Sequence, residues 1–349
     1  MRVEVGLLTH PFHENPVWPG LDEIARTARD VEEAGFDGIL VPEAGGHDPF
    51  LPILIAAQTT SRVTFRTGVA VAFPRSPLVM AQTAWDLQRF TGGRFRLGLG
   101  TQVKTHNEKR FAAPWAGPPG PRLREYVACM RAMFATFREP SAPKYFEGKY
   151  YQFTFMPEMF NPGPIEHTEV PIDLAAVNPY MCRLAGELAD GVFPHPICTP
   201  RFIREIMQPL VARGARKAGR DAGTLEVVVS PMVATGRDRE EVERKRRYLK
   251  QRLGFYASTR RYHGPVEMHG WIDEGMKLFE LSKQGRWHDM VPVVSDAMFD
   301  DFAVSGVYDE VGPKLRERWE GVADVIHLDL PPELRADRKL VRSLIEALH

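Results

Sequence analysis

The chain has 349 residues, of which 44% are hydrophobic and 26% are charged. Its 45 Lys and Arg side chains balance 45 Asp and Glu side chains, so no basic field favours nucleic acid as a partner. The longest apolar runs are too short to cross a bilayer, which argues against a membrane protein. The three cysteines are widely spaced, as is typical of free thiols, and the first residues do not resemble a signal peptide. We therefore expect a cytoplasmic protein whose partner is a small molecule.

Strands and helices are predicted to alternate from the start of the chain. A strand over residues 3–8 precedes a helical pattern over 21–34, which Gly35 ends. Further strands are predicted at 38–41, 63–70 and 94–99, with helices at 51–59 and 78–90 between them. Ser76 and Pro77 supply the N-cap and first residue of the last of these helices. This order makes half of a (β/α)8 ring.

The second half of the ring follows after a long interval. Its strands are predicted at residues 171–175, 191–193, 225–231 and 324–328, and a helical pattern over 334–348 closes the chain. Pro209 is expected to kink or split the helix in which it lies. The prediction is a single α/β domain over residues 1–349, a (β/α)8 TIM barrel. Two insertions, at about 101–170 and 254–305, are expected at its C-terminal face as lids or substrate pockets.

Functional residues of such a barrel lie at the carboxyl ends of its strands. Small residues such as Gly68 and Gly100 at these exits let the backbone approach a ligand closely. The candidates at the first five strand ends are, in order, His10, Glu43, Gly68 with Val69, Thr101 with Gln102, and Asn178. Glu43 can accept a hydrogen bond from a ligand or hold a histidine, and the alternative is an ion pair with a nearby arginine.

Two helix starts follow strands of the second half. Asn178 and Pro179 read as an N-cap and first helical residue, which directs free N–H groups at the mouth and suits a phosphate. Thr199 and Pro200 form a second start of this type, close to His195. The alternative for both is simple capping. His10 has no convincing set of further metal ligands, so no metal site is predicted.

Four motifs carry a family resemblance. They lie at residues 35–43, 67–69 with 75–77, 92–100 and 185–191, in the family's order, within the first 235 residues. On these motifs the chain resembles the luciferase-like flavin and deazaflavin oxidoreductases, and most of all the branch that uses coenzyme F420. The resemblance implies hydride transfer between the deazaflavin C5 and a small organic substrate. The alternatives are an FMN-dependent monooxygenase and a non-catalytic flavin-binding or deazaflavin-binding protein.

The resemblance also implies a cofactor site. A non-proline cis peptide is expected between Gly68 and Val69, supporting one face of the ring. Gly100, Thr101 and Gln102 are expected along the ribityl chain, and the backbone of residues 176–178 at the tail phosphate. The complete set of cofactor-binding candidates is Gly68, Val69, Ala70, Gly100, Thr101, Gln102, Ala176, Val177, Asn178 and His195.

One departure from the family affects the catalytic residues. Related dehydrogenases often have an acid followed by histidine after the second strand, whereas this chain has Glu43 followed by Ala44. His10 is therefore the first candidate for a proton relay and Glu43 the second. Relatives are commonly homodimers, with helices such as that over 78–90 at the interface. The second insertion is an aromatic substrate-pocket candidate, or alternatively local packing, through Tyr256, Tyr262, His263, His269 and Trp271.

Overall fold

Eight parallel strands close a barrel in the computed structural model, which describes residues 1–7, 19–43, 46–330, 334–335 and 337–349. Each strand is hydrogen-bonded to the next, and the last pairs with the first. The predicted (β/α)8 barrel is thus confirmed. The strands are β1 (Arg2–Gly6), β2 (Gly38–Val41), β3 (Thr64–Thr67), β4 (Phe95–Gly100), β5 (Ile172–Ala176), β6 (Gly191–Pro194), β7 (Glu226–Val229) and β8 (Val325–Leu328).

Helices surround the barrel, and several have the ends that the sequence predicts. Gly35 ends the first helix with a left-handed φ of 101°, and Ser76 caps the third through the N–H of Val79. A π-helical turn, Ile203–Met207, separates α7 from α8 and places Pro209 in the first turn of α8, so the helix is split as predicted. The helices are α1 (Leu21–Ala34), α2 (Phe50–Ala57), α3 (Pro77–Phe90), α4 (Lys104–Lys109), α5 (Pro119–Arg138), α6 (Pro179–Leu188), α7 (Pro200–Phe202), α8 (Gln208–Lys217), α9 (Arg239–Ala257), α10 (His263–Met268), α11 (Ile272–Lys283), α12 (Asp296–Phe302), α13 (Tyr308–Trp319) and α14 (Arg338–Leu348).

An ion network fills the lower part of the barrel interior. Arg66 is fully buried and pairs with Glu4 at 3.2 Å, with Glu226 at 3.0 Å and with Asp173. Arg96 pairs with Asp173 at 2.7 Å. Burial opposes ionisation of Asp173, yet the two guanidinium groups outweigh it and hold the pKa of that carboxyl below its usual range. Removing one partner would leave an uncompensated buried charge, so loss of any single member is expected to destabilise the barrel.

A small apolar cluster also lies among the strands. It consists of Leu40, Phe193, Val228 and Val325, with Val69 packed against them. Leu40 and Val69 connect this cluster to the exit of β3.

The chain between β4 and β5 divides into parts with different positions. Helix α5 packs between α3 and α6 and is a helix of the surrounding ring. After α5 the chain runs along the outside of the ring of helices. There the carbonyl of Gly163 accepts a hydrogen bond from Trp85 Nε1 at 3.0 Å, and the carbonyl of Glu169 accepts one from Gln88 at 2.7 Å. A hairpin of Phe146–Glu147 and Gln152–Phe153 packs against the start of α5, where the Tyr151 hydroxyl accepts a hydrogen bond from Arg122 Nε at 2.8 Å. The predicted insertion at 101–170 therefore contains one helix of the surrounding ring.

The second excursion begins earlier than predicted. Strand Met232–Gly236 pairs in parallel with strand Ala303–Val307, and helices α9 to α12 lie between them in the chain. These helices share an apolar core of their own, which includes Leu253, Leu278 and Phe299 and also takes in Ile197 after β6. The excursion is thereby fixed beside the β6 end of the barrel. Among the described helices, none is long and apolar enough to cross a membrane.

Candidate active site at the mouth of the barrel

The exit of β3 has a distinctive backbone. The peptide bond between Gly68 and Val69 is cis, as the resemblance implied. These two residues are partly exposed, whereas Thr67 and Ala70 on either side are buried. The backbone of the exit is thus open towards the mouth of the barrel at one point.

Glycines make this exit possible. A Cβ on Gly68 would lie 2.5 Å from the side chain of Leu40, and one on Gly100 would lie 2.5 Å from Val69. A Cβ on Gly98 would overlap the carbonyl oxygen of Thr67. Real Cβ atoms do not approach other atoms so closely, so any larger residue would displace the exit.

Glu43 holds the exit from the neighbouring strand. Its Oε2 accepts a hydrogen bond from the N–H of Val71 at 2.7 Å and lies 2.8 Å from Arg75 Nη1. Arg75 also pairs with Asp48 at 3.0 Å. The ion pair that the sequence left open as an alternative is therefore present, and these contacts suit a positioning role for Glu43. His10, the other catalytic candidate, lies outside the described residues.

The ends of β4 and β5 border the same side of the mouth. Thr101 is partly buried, and Gln102 is exposed with a left-handed φ of 53°. Asn178 caps α6 by accepting a hydrogen bond from the N–H of Met181 at 3.0 Å, and Pro179 follows as predicted. Ala176 ends β5. The first turn of α6 thus opens directly after the strand, as an anion site at a helix start requires.

The end of β6 carries a ring cluster. His195 stacks on Tyr262 with 4.1 Å between ring centroids and meets the edge of Tyr256 at 4.5 Å. Burial lowers the pKa of His195 to about 3, so the imidazole is neutral at physiological pH. Its Nδ1 accepts a hydrogen bond from the N–H of Ile197 at 3.3 Å, which places the ring proton on Nε2.

Only part of the predicted aromatic pocket faces His195. Three of its five members have partners elsewhere: His263 binds the carbonyl of Ala257 at 3.0 Å, Trp271 donates to Asp301, and His269 lies 2.8 Å from the Thr199 hydroxyl. Local packing, the alternative reading, describes these three. Tyr256 and Tyr262 remain beside the mouth.

The end of β8 adds residues that the sequence reasoning missed. His327 is paired in register with Glu4, whose side chain lies inside the barrel, so His327 faces the interior too. Its Nδ1 is buried and has no hydrogen-bond partner among the described residues, and burial lowers its pKa to about 4. Arg252 of α9 reaches this end of the barrel, where it lies 3.7 Å from Asp329. His327 could have been found from the sequence, because it is a lone histidine in an otherwise apolar strand. No pattern in the sequence pointed to Arg252.

Glycines at strand exits, a helix start and polar side chains around one mouth are the architecture of an α/β-barrel enzyme. Residues 1–324 match the luciferase-like monooxygenase family. An uncharacterised protein of Mycobacterium tuberculosis is 40% identical over 326 residues, which cover 93% of this chain and 94% of that protein. An F420-dependent glucose-6-phosphate dehydrogenase of Intrasporangium calvum is 30% identical over 266 residues, covering 70% and 75%. The chain therefore belongs to the luciferase-like monooxygenase family and is an oxidoreductase.

Solved structures agree with this fold. The coenzyme F420-dependent tetrahydromethanopterin reductase of Methanopyrus kandleri superposes with a TM-score of 0.77 at 21% identity, covering 98% of this chain and 97% of that one. The oxygenating constituent of 3,6-diketocamphane monooxygenase from Pseudomonas putida, in complex with FMN, gives a TM-score of 0.65 at 17% identity, covering 99% and 96%. The shared barrel thus occurs in proteins named for either cofactor.

Proposed function

We propose that the protein is a coenzyme F420-dependent oxidoreductase that transfers a hydride between the deazaflavin C5 and a small organic substrate. The observation that carries this proposal is the 30% identity to an F420-dependent dehydrogenase over 70% of the chain. The glycine-lined exit of β3 supports it, because a flat ring needs close approach to backbone.

The residues at the ends of β3 to β5 fit such a cofactor. Gly68, Val69 and Ala70 would support one face of the ring, since the backbone at Gly68 and Val69 is partly exposed. Gly100, Thr101 and Gln102 would follow the ribityl chain. Ala176, Val177 and Asn178 would lead the tail phosphate to the start of α6. His195 would border the ring from β6.

The protein's own contribution is binding, orientation and the exclusion of water. When bound, F420 supplies a carbon that accepts or donates a hydride while the substrate is oxidised or reduced. Glu43 orients the β3 exit through Val71 and Arg75. His195 holds a proton at Nε2 in neutral form, and His10 remains the predicted proton relay. Tyr256 and Tyr262 narrow the access of water from the β6 side.

A titration with two cofactors tests the proposal. Purified protein is mixed with increasing oxidised F420 or FMN while the spectrum of each chromophore is followed. We expect micromolar or tighter binding of F420 and markedly weaker binding of FMN. Binding of FMN alone would contradict the proposal and favour the monooxygenase. Binding of F420 without turnover of any donor would favour a non-catalytic binding protein.

Gly68→Val gives the titration a site-specific control. The new side chain would overlap Leu40 and the ring face, so we expect loss of F420 binding. Gly20→Val is the matched variant, because nothing lies within 4 Å of a Cβ there. Should Gly68→Val fail to fold, the double variant Leu40→Ala with Gly68→Ala provides room for the added methyl group. Undiminished F420 binding by a folded Gly68→Val protein would remove Gly68 from the site.

We further propose that the protein is a cytoplasmic homodimer. Three free, buried cysteines support a reducing compartment. Large apolar side chains exposed on neighbouring helices α2 and α3 support the predicted interface, namely Leu51, Val79 and Phe90. Light scattering of the purified protein measures the oligomeric state, and a monomer at micromolar concentration would contradict the dimer.

A further inference from the structure

The β6–β8 side of the mouth contains a cation with few partners. The Arg252 side chain is only 11% exposed. Its Nε donates a hydrogen bond to the Tyr256 hydroxyl at 2.8 Å. Its nearest carboxylate oxygen, on Asp329, is 3.7 Å from Nη1, which is beyond hydrogen-bond distance. Within the described ranges, the terminal N–H groups of this guanidinium therefore have no hydrogen-bonded acceptor.

A second guanidinium competes with Arg252 for Asp329. Arg335 lies at the same end of the barrel and, among the described residues, donates to the backbone carbonyls of Leu330 at 3.0 Å and Gly6 at 2.8 Å. Burial lowers the pKa of Arg335 against the opposing effect of Asp329. Among the described residues, the two buried guanidinium groups of Arg252 and Arg335 thus share the carboxylate of Asp329. A buried cation without a full partner is costly, and an incoming anion would offset that cost.

Neutral polar groups complete the surroundings of Arg252. Burial lowers the pKa of His195 and of His327, and Arg252 lies close enough to lower both further, so both imidazoles are uncharged at neutral pH. The Nδ1 atom of His327 is buried on the inner face of β8 without a partner in the described structure. Among the described residues, Tyr248 and Tyr256 of α9 also act on the guanidinium. A fork of donors beside an orphaned imidazole nitrogen is suited to bind an oxyanion and one further polar group.

We propose that Arg252 binds an anionic group of the substrate, a carboxylate or a phosphate monoester, on the β6–β8 side of the mouth. The assignment of this anion to the substrate rests on the proposed function. In the ring of eight strands, β4 with Gly100 lies opposite β8 with Asp329. An anion held by Arg252 therefore lies across the mouth from the proposed cofactor seat at β3–β5.

Thermal unfolding of the cofactor-free protein tests the binding of the anion itself. The melting temperature is measured in sodium phosphate and in sodium chloride of equal ionic strength, since a ligand that binds only the folded state raises it. We expect Arg252→Met to weaken the phosphate effect at least tenfold in apparent affinity. Arg247→Met, an exposed residue of the same helix, is the matched control and should keep the full effect. A general salting effect of phosphate would act equally on both variants and would overturn the proposal.

Asp329→Asn provides an independent test with the opposite sign. Removing this carboxylate removes a competitor for Arg252, so phosphate should bind several-fold more tightly than to the wild type. Unchanged or weaker phosphate binding would contradict the proposal. This variant retains Arg252, and the proposal therefore stays testable even where Arg252→Met does not fold.

Repeating the thermal unfolding with saturating F420 shows whether Arg252 binds an anionic group of the substrate or the tail of the cofactor. A substrate site predicts that the phosphate effect persists on top of the F420 effect. If F420 abolishes the phosphate effect, Arg252 binds the tail of the cofactor and the substrate assignment is overturned. Because the first experiment uses no cofactor, failure of F420 binding contradicts the proposed function and leaves the anion measurement intact.

Discussion

The two sides of the barrel mouth are built from opposite kinds of residue. At β3–β5 the surface consists of glycines and backbone, with Gly68, Gly98 and Gly100 packed so closely that a Cβ has no room. At β6–β8 it consists of rings and charges, with His195 stacked on Tyr262 and Arg252 beside Asp329. The first side suits a ligand of fixed shape, and the second can vary with the substrate. Under the proposed function, this division assigns the cofactor to the first side and the substrate to the second.

The largest effect on the free energy of unfolding is expected from adding a methyl group at the glycine-rich β3–β5 side. Gly98→Ala would place a methyl group on the Thr67 carbonyl, which the backbone must move to avoid. We expect a loss of about 3 kcal/mol or more in the free energy of unfolding. Gly20→Ala, at an open position with a φ of −72°, should change it by less than about 1 kcal/mol. Equal denaturant midpoints for both variants would show that the β3–β4 contact is looser than described.

The second largest effect is expected at low pH, where protonation of the buried histidines of the β6–β8 side lowers the free energy of unfolding. The folded-state pKa values of His195 and His327 are about 3 and about 4, below the ordinary 6.5. The unfolded chain therefore binds more protons, and stability present above pH 6.5 is lost as the pH falls. We expect a slope of up to about 1.4 kcal/mol per pH unit for each histidine between pH 6.5 and 5.

Denaturant titrations at several pH values measure this slope. His327→Gln should reduce it, because one of the two buried imidazoles is gone. His288→Gln, at an exposed position, should leave it unchanged. A slope that neither variant alters would show that His327 does not contribute to the acid sensitivity.

A smaller effect is expected from a substitution of Glu43, which contacts the β3 exit through Val71 and Arg75. Glu43→Gln keeps the shape of the side chain but removes its charge from Arg75, at a cost of about 1–2 kcal/mol in the free energy of unfolding. The affinity for F420 should fall several-fold, since the β3 exit is less well held. Glu346→Gln, at an exposed position of α14, should change neither quantity. An unaltered F420 affinity in Glu43→Gln would leave Glu43 with a purely structural role.

The sequence predicted the β3–β5 side of the mouth better than the β6–β8 side. Gly68, Ser76 with Pro77, and Asn178 with Pro179 each give a local signal, because strand exits and helix starts depend on neighbouring residues. Arg252 gives no such signal: it lies on a helix rich in charged residues, and its partner Asp329 is brought near only by the closing of the barrel. The path of the chain after α5 was hidden for the same reason, since it depends on contacts with the distant Trp85.

Hydrogen exchange on F420 binding tests the division of the mouth most directly. Amide exchange is measured by mass spectrometry with and without saturating F420. Slower exchange should be confined to peptides covering residues 67–71, 98–102, 176–181 and 195, while peptides over 248–262 exchange as before. Protection confined to residues 248–262, with none at 67–71, would place the cofactor on the other side and contradict the account.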